Sequence, residues 1–205
     1  MARPAMPSWP AALHDSLGGE HARIVYCPHI REGPTLSLAE INRLAPAAFT
    51  QRFGALFEHS PWVAERAWSQ RPFESVARLH EAMMRVVSEA SEEEKLALVR
   101  SHPELAGREA QAGTLTPDSS GEQGRLGFSA LSKAEFTRMA GINRAYREKF
   151  GFPCIVALRR HASRAGVMAE MERRLGNEAQ TELANALEQI GHITRGRLAK
   201  IFGEP

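Results

Sequence analysis

From Ser37 to Ile201 the apolar residues recur at helical spacing, and one run alone reads as β-like, Phe152-Pro153-Cys154-Ile155-Val156-Ala157-Leu158. A strand needs a neighbour to satisfy its backbone N–H and C=O groups, and a single short run has none. The sequence therefore predicts an all-α fold, with this run as extended backbone threaded between helices. Leu38, Ile41 and Leu44 mark a first stripe, and Pro46 suits the opening of a helix carrying Phe49, Phe53, Leu56 and Phe57. Ser60-Pro61 starts a short helix with Trp62, Val63 and Trp68, which Arg71-Pro72 ends. Ser75 caps a helix with Leu79, Met83, Val86 and Val87 on one face. Ser91-Glu92-Glu93-Glu94 sets a cap and three acids over the positive end of a helix dipole. Thr116-Pro117-Asp118 opens a helical turn, and Ser132 with Glu135 forms a capping box for a helix ending near Phe150-Gly151. Ser163 caps another helix, and Asn177 begins the last. Together these make one helical domain of about eight helices over residues 36–205. Residues 1–35, broken by Pro4, Pro7, Pro10, Gly18-Gly19, Pro28 and Pro34, read as an irregular extension. Leu13, Ile24, Val25 and Tyr26 are its candidates for docking on the body.

Bulk properties exclude several classes. The net charge of +2 comes without a basic stripe interleaved with aromatics, so no nucleic-acid partner is expected. No apolar run approaches the roughly 18 residues of a membrane span, and no secretory signal is read at the N-terminus. Cys27 and Cys154 form no CxxC pair or disulfide framework, which fits a reducing, cytoplasmic setting. Glu-x-x-His and His-Glu-x-x-His are missing, so no metal site is expected. Gly-x-Ser-x-Gly and phosphate-binding glycine loops are missing too.

The chemistry concentrates around Ser101-His102-Pro103-Glu104-Leu105-Ala106-Gly107-Arg108. Pro103 disfavours helical geometry at His102, which places the imidazole at a helix end. Glu122 and Gln123 follow about 20 residues on, within Ser119-Ser120-Gly121-Glu122-Gln123. A base of near-neutral pKa, a carboxylate and an amide are the parts of a proton-transfer site. His59, before Ser60-Pro61, is the rival histidine; the bland reading makes either one a turn residue. On the last helix Arg197 lies four residues from both Ile193 and Ile201, so spacing turns it inward in preference to Arg195. An inward guanidinium suits an anionic ligand. Cys154 reads as a small buried hydrophobe. A non-catalytic alternative takes Trp62, Trp68 and Phe73 as a protein-binding patch.

Five motifs, in order, carry a family resemblance: Phe57-Glu58-His59-Ser60-Pro61-Trp62-Val63-Ala64, His102 to Arg108, Glu122-Gln123, Asn143-x-x-Tyr146-x-x-x-Phe150-Gly151-Phe152-Pro153, and Arg197-Leu198. From about Leu36 to Phe202 the chain resembles the decarboxylases of 2-oxo-4-hydroxy-4-carboxy-5-ureidoimidazoline (OHCU). The resemblance implies an all-α enzyme of urate breakdown that converts OHCU to (S)-allantoin and CO₂ without a cofactor. It implies His102 as the catalytic histidine, Glu122 as its acidic partner and Arg197 as the family's arginine. Substrate contacts map to Pro103, to Ser119, Ser120, Gly121, Glu122 and Gln123, and to backbone groups of Cys154, Ile155, Val156, Ala157 and Leu158. It also implies a homodimer, with functional coupling to urate oxidase and hydroxyisourate hydrolase. The chain departs from the family at Cys154, where an aromatic is usual, and at Gly124-Arg125-Leu126, where small residues are usual. A related enzyme acting on another ureide or hydantoin ring is the rival reading.

Overall fold

Hydroxyl side chains set where the helices begin. The structure is a computed structural model that describes residues 37–203; the extension read over residues 1–35, with Cys27, lies outside the described residues. Ser37, Ser75, Ser91, Thr116, Ser132 and Ser163 each accept a backbone N–H of the first turn that follows. These caps open α1 (Leu38–Arg43), α4 (Val76–Glu89), α5 (Glu92–Arg100), α7 (Pro117–Arg125), α8 (Lys133–Phe150) and α9 (Arg164–Arg174). Ser37, Ser91 and Ser132 close full capping boxes with Glu40, Glu94 and Glu135, which satisfy two otherwise orphaned donors at once. The remaining helices are α2 (Pro46–Phe53), α3 (Trp62–Ala67), α6 (Arg108–Ala112) and α10 (Ala179–Ile201).

The described residues thus hold ten α-helices and three 3₁₀ turns, with no strand. That exceeds the eight or so expected. The helix the sequence reading missed is α6, five residues long with no side-chain cap and no buried residue. The last helix starts at Ala179, two residues after Asn177, whose side-chain amide donates to Glu182 Oε2 at 2.7 Å. All the described residues fall within one compact unit, residues 34–205.

Helix α10 is the axis of the packing and lies against α4, α5, α8 and the 3₁₀ turn Gly54–Phe57. Its inward stripe is Ala186, Ile190, Ile193, Thr194, Arg197 and Leu198. The partners on α4 are Leu79, Met83, Val86 and Val87, also buried. Burying one such aliphatic side chain contributes about 1.5–3 kcal/mol. Arg197 rides on that stripe and is carried inward by it.

The run from Phe152 to Ala157 is buried and forms neither helix nor strand. Side chains supply the bonds a neighbouring strand would have made. Arg174 Nη1 donates to the Ile155 carbonyl at 2.7 Å, and the Ala157 N–H donates to Gln189 Oε1 at 2.9 Å. Arg174 is paired in turn with Glu182, which also accepts the Tyr146 hydroxyl. Among the described residues no helix is long and apolar enough to cross a membrane.

Candidate active site

Four elements deliver polar side chains to one small cleft beside α10. Its lining includes His102, Pro103, Ser119, Glu122, Gln123, Cys154, Ile155, Val156, Leu158, Ile193 and Arg197. The free space enclosed is about 30 Å³, room for a water or two and no more.

His102 follows Ser101, the C-cap of α5, as Pro103 dictates. It is buried, and neither Nδ1 nor Nε2 has a hydrogen-bond partner. Burial pushes its pKa down to about 4, against the opposing pull of Glu58 and with help from Arg197. The ring is therefore a neutral imidazole at pH 7, with a nitrogen free to take a proton. His59, the rival, is exposed.

Helix α7 places Ser119, Glu122 and Gln123 on one face, because residues three and four apart share a side of a helix. Glu122 grips Arg197 through two parallel bonds, from Nε at 2.9 Å and from Nη2 at 2.8 Å. The sequence reading made Glu122 the partner of His102; here it bonds to Arg197 instead, and the imidazole has no carboxylate on it. Gln123 is committed structurally. Its Oε1 accepts the Ala106 N–H at 2.9 Å and its Nε2 donates to the Glu104 carbonyl at 3.3 Å, so it holds the loop that follows His102.

Arg197 is 2% exposed while Arg195 faces solvent. Besides Glu122 it bonds the Leu56 carbonyl at 3.2 Å and Ser119 Oγ at 3.1 Å. Its fourth partner was not foreseen. Glu58 Oε1 lies 2.6 Å from Nη2, with both side chains buried. Glu58 also accepts Ser119 Oγ at 2.6 Å and Thr116 Oγ1 at 3.1 Å. Burial alone would raise its pKa, but Arg197 and then Ser119 outweigh that and hold it below the ordinary carboxylate range. Burial likewise opposes the Arg197 charge, and Glu122 and Glu58 more than restore it. Glu58 has φ 52° and ψ −124°, a conformation that costs a non-glycine residue about 1–3 kcal/mol.

The other expected residues divide. Pro103, Cys154, Ile155, Val156 and Leu158 line the cleft. Cys154 is buried and its thiol is pushed up to about 12 by burial, so it is neither nucleophile nor acid at neutral pH. Ala157 is buried off the cleft, with its N–H already used by Gln189. Ser120 and Gly121 are exposed, and Ser120 lines a separate groove with Phe128 and Phe136. Arg125 bonds the Leu158 carbonyl and so ties the end of α7 to the wall of the cleft. Of the aromatic patch, Phe73 is buried, while Trp62 and Trp68 are half-buried, Trp68 donating its indole N–H to the Leu44 carbonyl at 2.9 Å. Among the described residues no three His, Cys, Asp or Glu side chains converge as metal ligands would.

Comparison with known proteins shows the family of the chain. Residues 42–199 match the model of the OHCU decarboxylase family. A 2-oxo-4-hydroxy-4-carboxy-5-ureidoimidazoline decarboxylase of Haloferax volcanii is 41% identical over 82% of this chain and 96% of its own length. The mouse protein of the same name is 34% identical over 82% of this chain and 94% of its own. The crystal structure of an (S)-allantoin synthase superposes with a TM-score of 0.65 at 28% identity, over 81% of this chain. This chain spans only 54% of that synthase. The family model covers the whole cleft-bearing part of the fold, and the two decarboxylases align almost from end to end, so the chain belongs to the OHCU decarboxylase family.

Proposed function

We propose that this protein decarboxylates OHCU to (S)-allantoin and CO₂, with His102, Glu122 and Arg197 as the catalytic groups. The observation that carries the reading is a buried neutral imidazole, free at both nitrogens, on the same cleft as an arginine whose bidentate edge faces a partly exposed carboxylate. Membership of the family supports it.

The chemistry runs without an added electron sink. The bond from ring carbon 4 to its carboxylate breaks, and its electron pair forms a double bond to carbon 5. The C5=N pair moves onto nitrogen, which takes a proton from water, while the carboxylate leaves as CO₂. The carbon-4 hydroxyl then loses its proton, carbon 5 gains one, and the carbonyl of allantoin results. His102 is the base for the hydroxyl and, once protonated, the donor to one face of carbon 5, which fixes the hand of the product. Arg197 binds the anionic group through the Nε and Nη2 edge that Glu122 now holds. Glu122, 24% exposed, turns to the ureido group as substrate enters, which opens the small cleft. Pro103, Ser119, Gln123 and the run from Cys154 to Leu158 wall the ring. Ser120, Gly121 and Ala157 stand back from it.

The protein works as a cytoplasmic homodimer, downstream of urate oxidase and hydroxyisourate hydrolase. The test generates OHCU from urate with those two enzymes and follows its decay, with and without this protein and its His102→Asn variant. The wild type accelerates decay, and the folded variant loses about 10²–10⁴-fold of the rate. Decay at the spontaneous rate with folded wild type overturns the function, and points to another hydantoin-like ring as substrate. A His102→Asn variant at near-wild-type rate removes His102 from the mechanism.

A further inference from the structure

Two carboxylates meet Arg197, and the structure treats them differently. The Glu58 side chain is wholly buried and the Glu122 side chain is 24% exposed. Glu58 has three partners, Arg197, Ser119 and Thr116. Among the described hydrogen bonds, Glu122 accepts from Arg197 alone. Glu58 also sits on strained backbone at the end of the 3₁₀ turn Gly54–Phe57, a conformation that persists only where the surroundings over-determine it.

We propose that Glu58 is a positioning residue: the fixed counter-ion that keeps Arg197 in place when Glu122 leaves it for substrate. This rests on the decarboxylase reading above. Glu58 is the one buried carboxylate on Arg197, beside the neutral Leu56 carbonyl and Ser119 hydroxyl, so without it the guanidinium would have no counter-charge left once Glu122 moved away. With Glu58 clamped by two hydroxyls, the guanidinium keeps one carboxylate and turns its free edge to the ligand. The exchange of Glu122 for a substrate carboxylate then leaves the charge around Arg197 unchanged. Glu58, and after it the Leu98 backbone, also favour protonation of His102 against burial, Arg197 and His59. Glu122 and the un-ionised Cys154 thiol are the other titratable groups that line the cleft with His102 and Arg197.

The test uses Glu58→Gln, which keeps size and hydrogen bonding and removes the charge. Two readouts are taken: kcat/KM against pH with OHCU, and the NMR titration of the His102 imidazole, which needs no substrate. The variant should lose about 100-fold or more in kcat/KM, as expected when a binding group loses its registration. Its acid limb and the His102 titration should both move to lower pH, because the charge that favours the imidazolium is gone. A purely structural glutamate would lower stability and leave both titrations where they are. Folded Glu58→Gln within about threefold of wild type, with His102 titrating unchanged, overturns the proposal. If Glu58→Gln fails to fold, Glu58→Asp is read instead. It keeps the charge and withdraws it from Arg197, so kcat/KM should fall about 5- to 50-fold with the titration in place; a wild-type kcat/KM overturns the proposal. Inactive wild type with His102 shifted in the variant sinks the decarboxylase reading and leaves the Glu58–His102 coupling standing.

Discussion

Replacing Arg197 with methionine removes one charge from a buried pair and strands the other. Glu58 lies in the interior, 2.6 Å from the guanidinium, and would keep only the Ser119 and Thr116 hydroxyls. Breaking a buried ion pair from one side costs about 3–5 kcal/mol. Glu122, partly exposed, can turn to water and adds little. For a domain of this size that loss lowers Tm by roughly 6–20 °C. The pH dependence separates a stranded charge from lost packing. In the wild type the Glu58 pKa is held below its unfolded value of about 4.3. Its contribution is then present above that value and lost as pH falls through the folded one. In Arg197→Met, burial has no guanidinium against it, so the folded pKa lies above the unfolded one. The penalty is then full near neutral pH and fades as pH falls towards 4. Urea unfolding at pH 7, 5.5 and 4 should show the gap to wild type narrowing, and Glu58→Gln added to Arg197→Met should recover part of the loss at pH 7. A gap unchanged over that range, with no recovery in the double variant, refutes the stranded-charge reasoning.

Further outcomes are expected. His102→Leu, which removes two unpartnered buried nitrogens, should be inactive yet about 1 kcal/mol more stable in urea at pH 7; its advantage should widen as pH falls from about 6.5 to 4, where the wild-type imidazole resists protonation. Gln123→Ala leaves the buried Ala106 N–H without a partner and should cost about 1–3 kcal/mol in urea, with activity falling as the loop after His102 loosens. In a Cys27→Ser background, Cys154 should resist iodoacetamide at pH 8 until urea unfolds the protein, because its thiol is buried and un-ionised. Gly151→Ala forces a side chain into φ 74° at the end of α8 and should lower stability by about 1–2 kcal/mol by thermal melt.

The helices were legible because their signals are local. Ser91 with its glutamates and Ser132 with Glu135 are read within four residues, and both caps form. The inward turn of Arg197 follows from its spacing to Ile193 along one helix. What the sequence could not show lies between elements far apart. Glu122 was matched to His102, yet its partner Arg197 is 75 residues away on α10. Glu58 lies inside the first family motif, where His59 beside it is the chemically conspicuous residue and no spacing marks the glutamate as buried. Periodicity does not reach a 3₁₀ turn, and glutamate at positive φ is not something a sequence pattern predicts. Helix α6 escaped for a related reason: with no cap and no buried residue it has no sequence signature.

The most direct test of the central claim is a circular dichroism time course on OHCU made in situ from urate, with the protein added in the absence of metal. The account predicts rapid appearance of the (S)-allantoin signal, since both the rate and the handedness come from the His102 face of the cleft. A signal that never exceeds that of spontaneous, racemic decay, from protein shown to be folded, would contradict it.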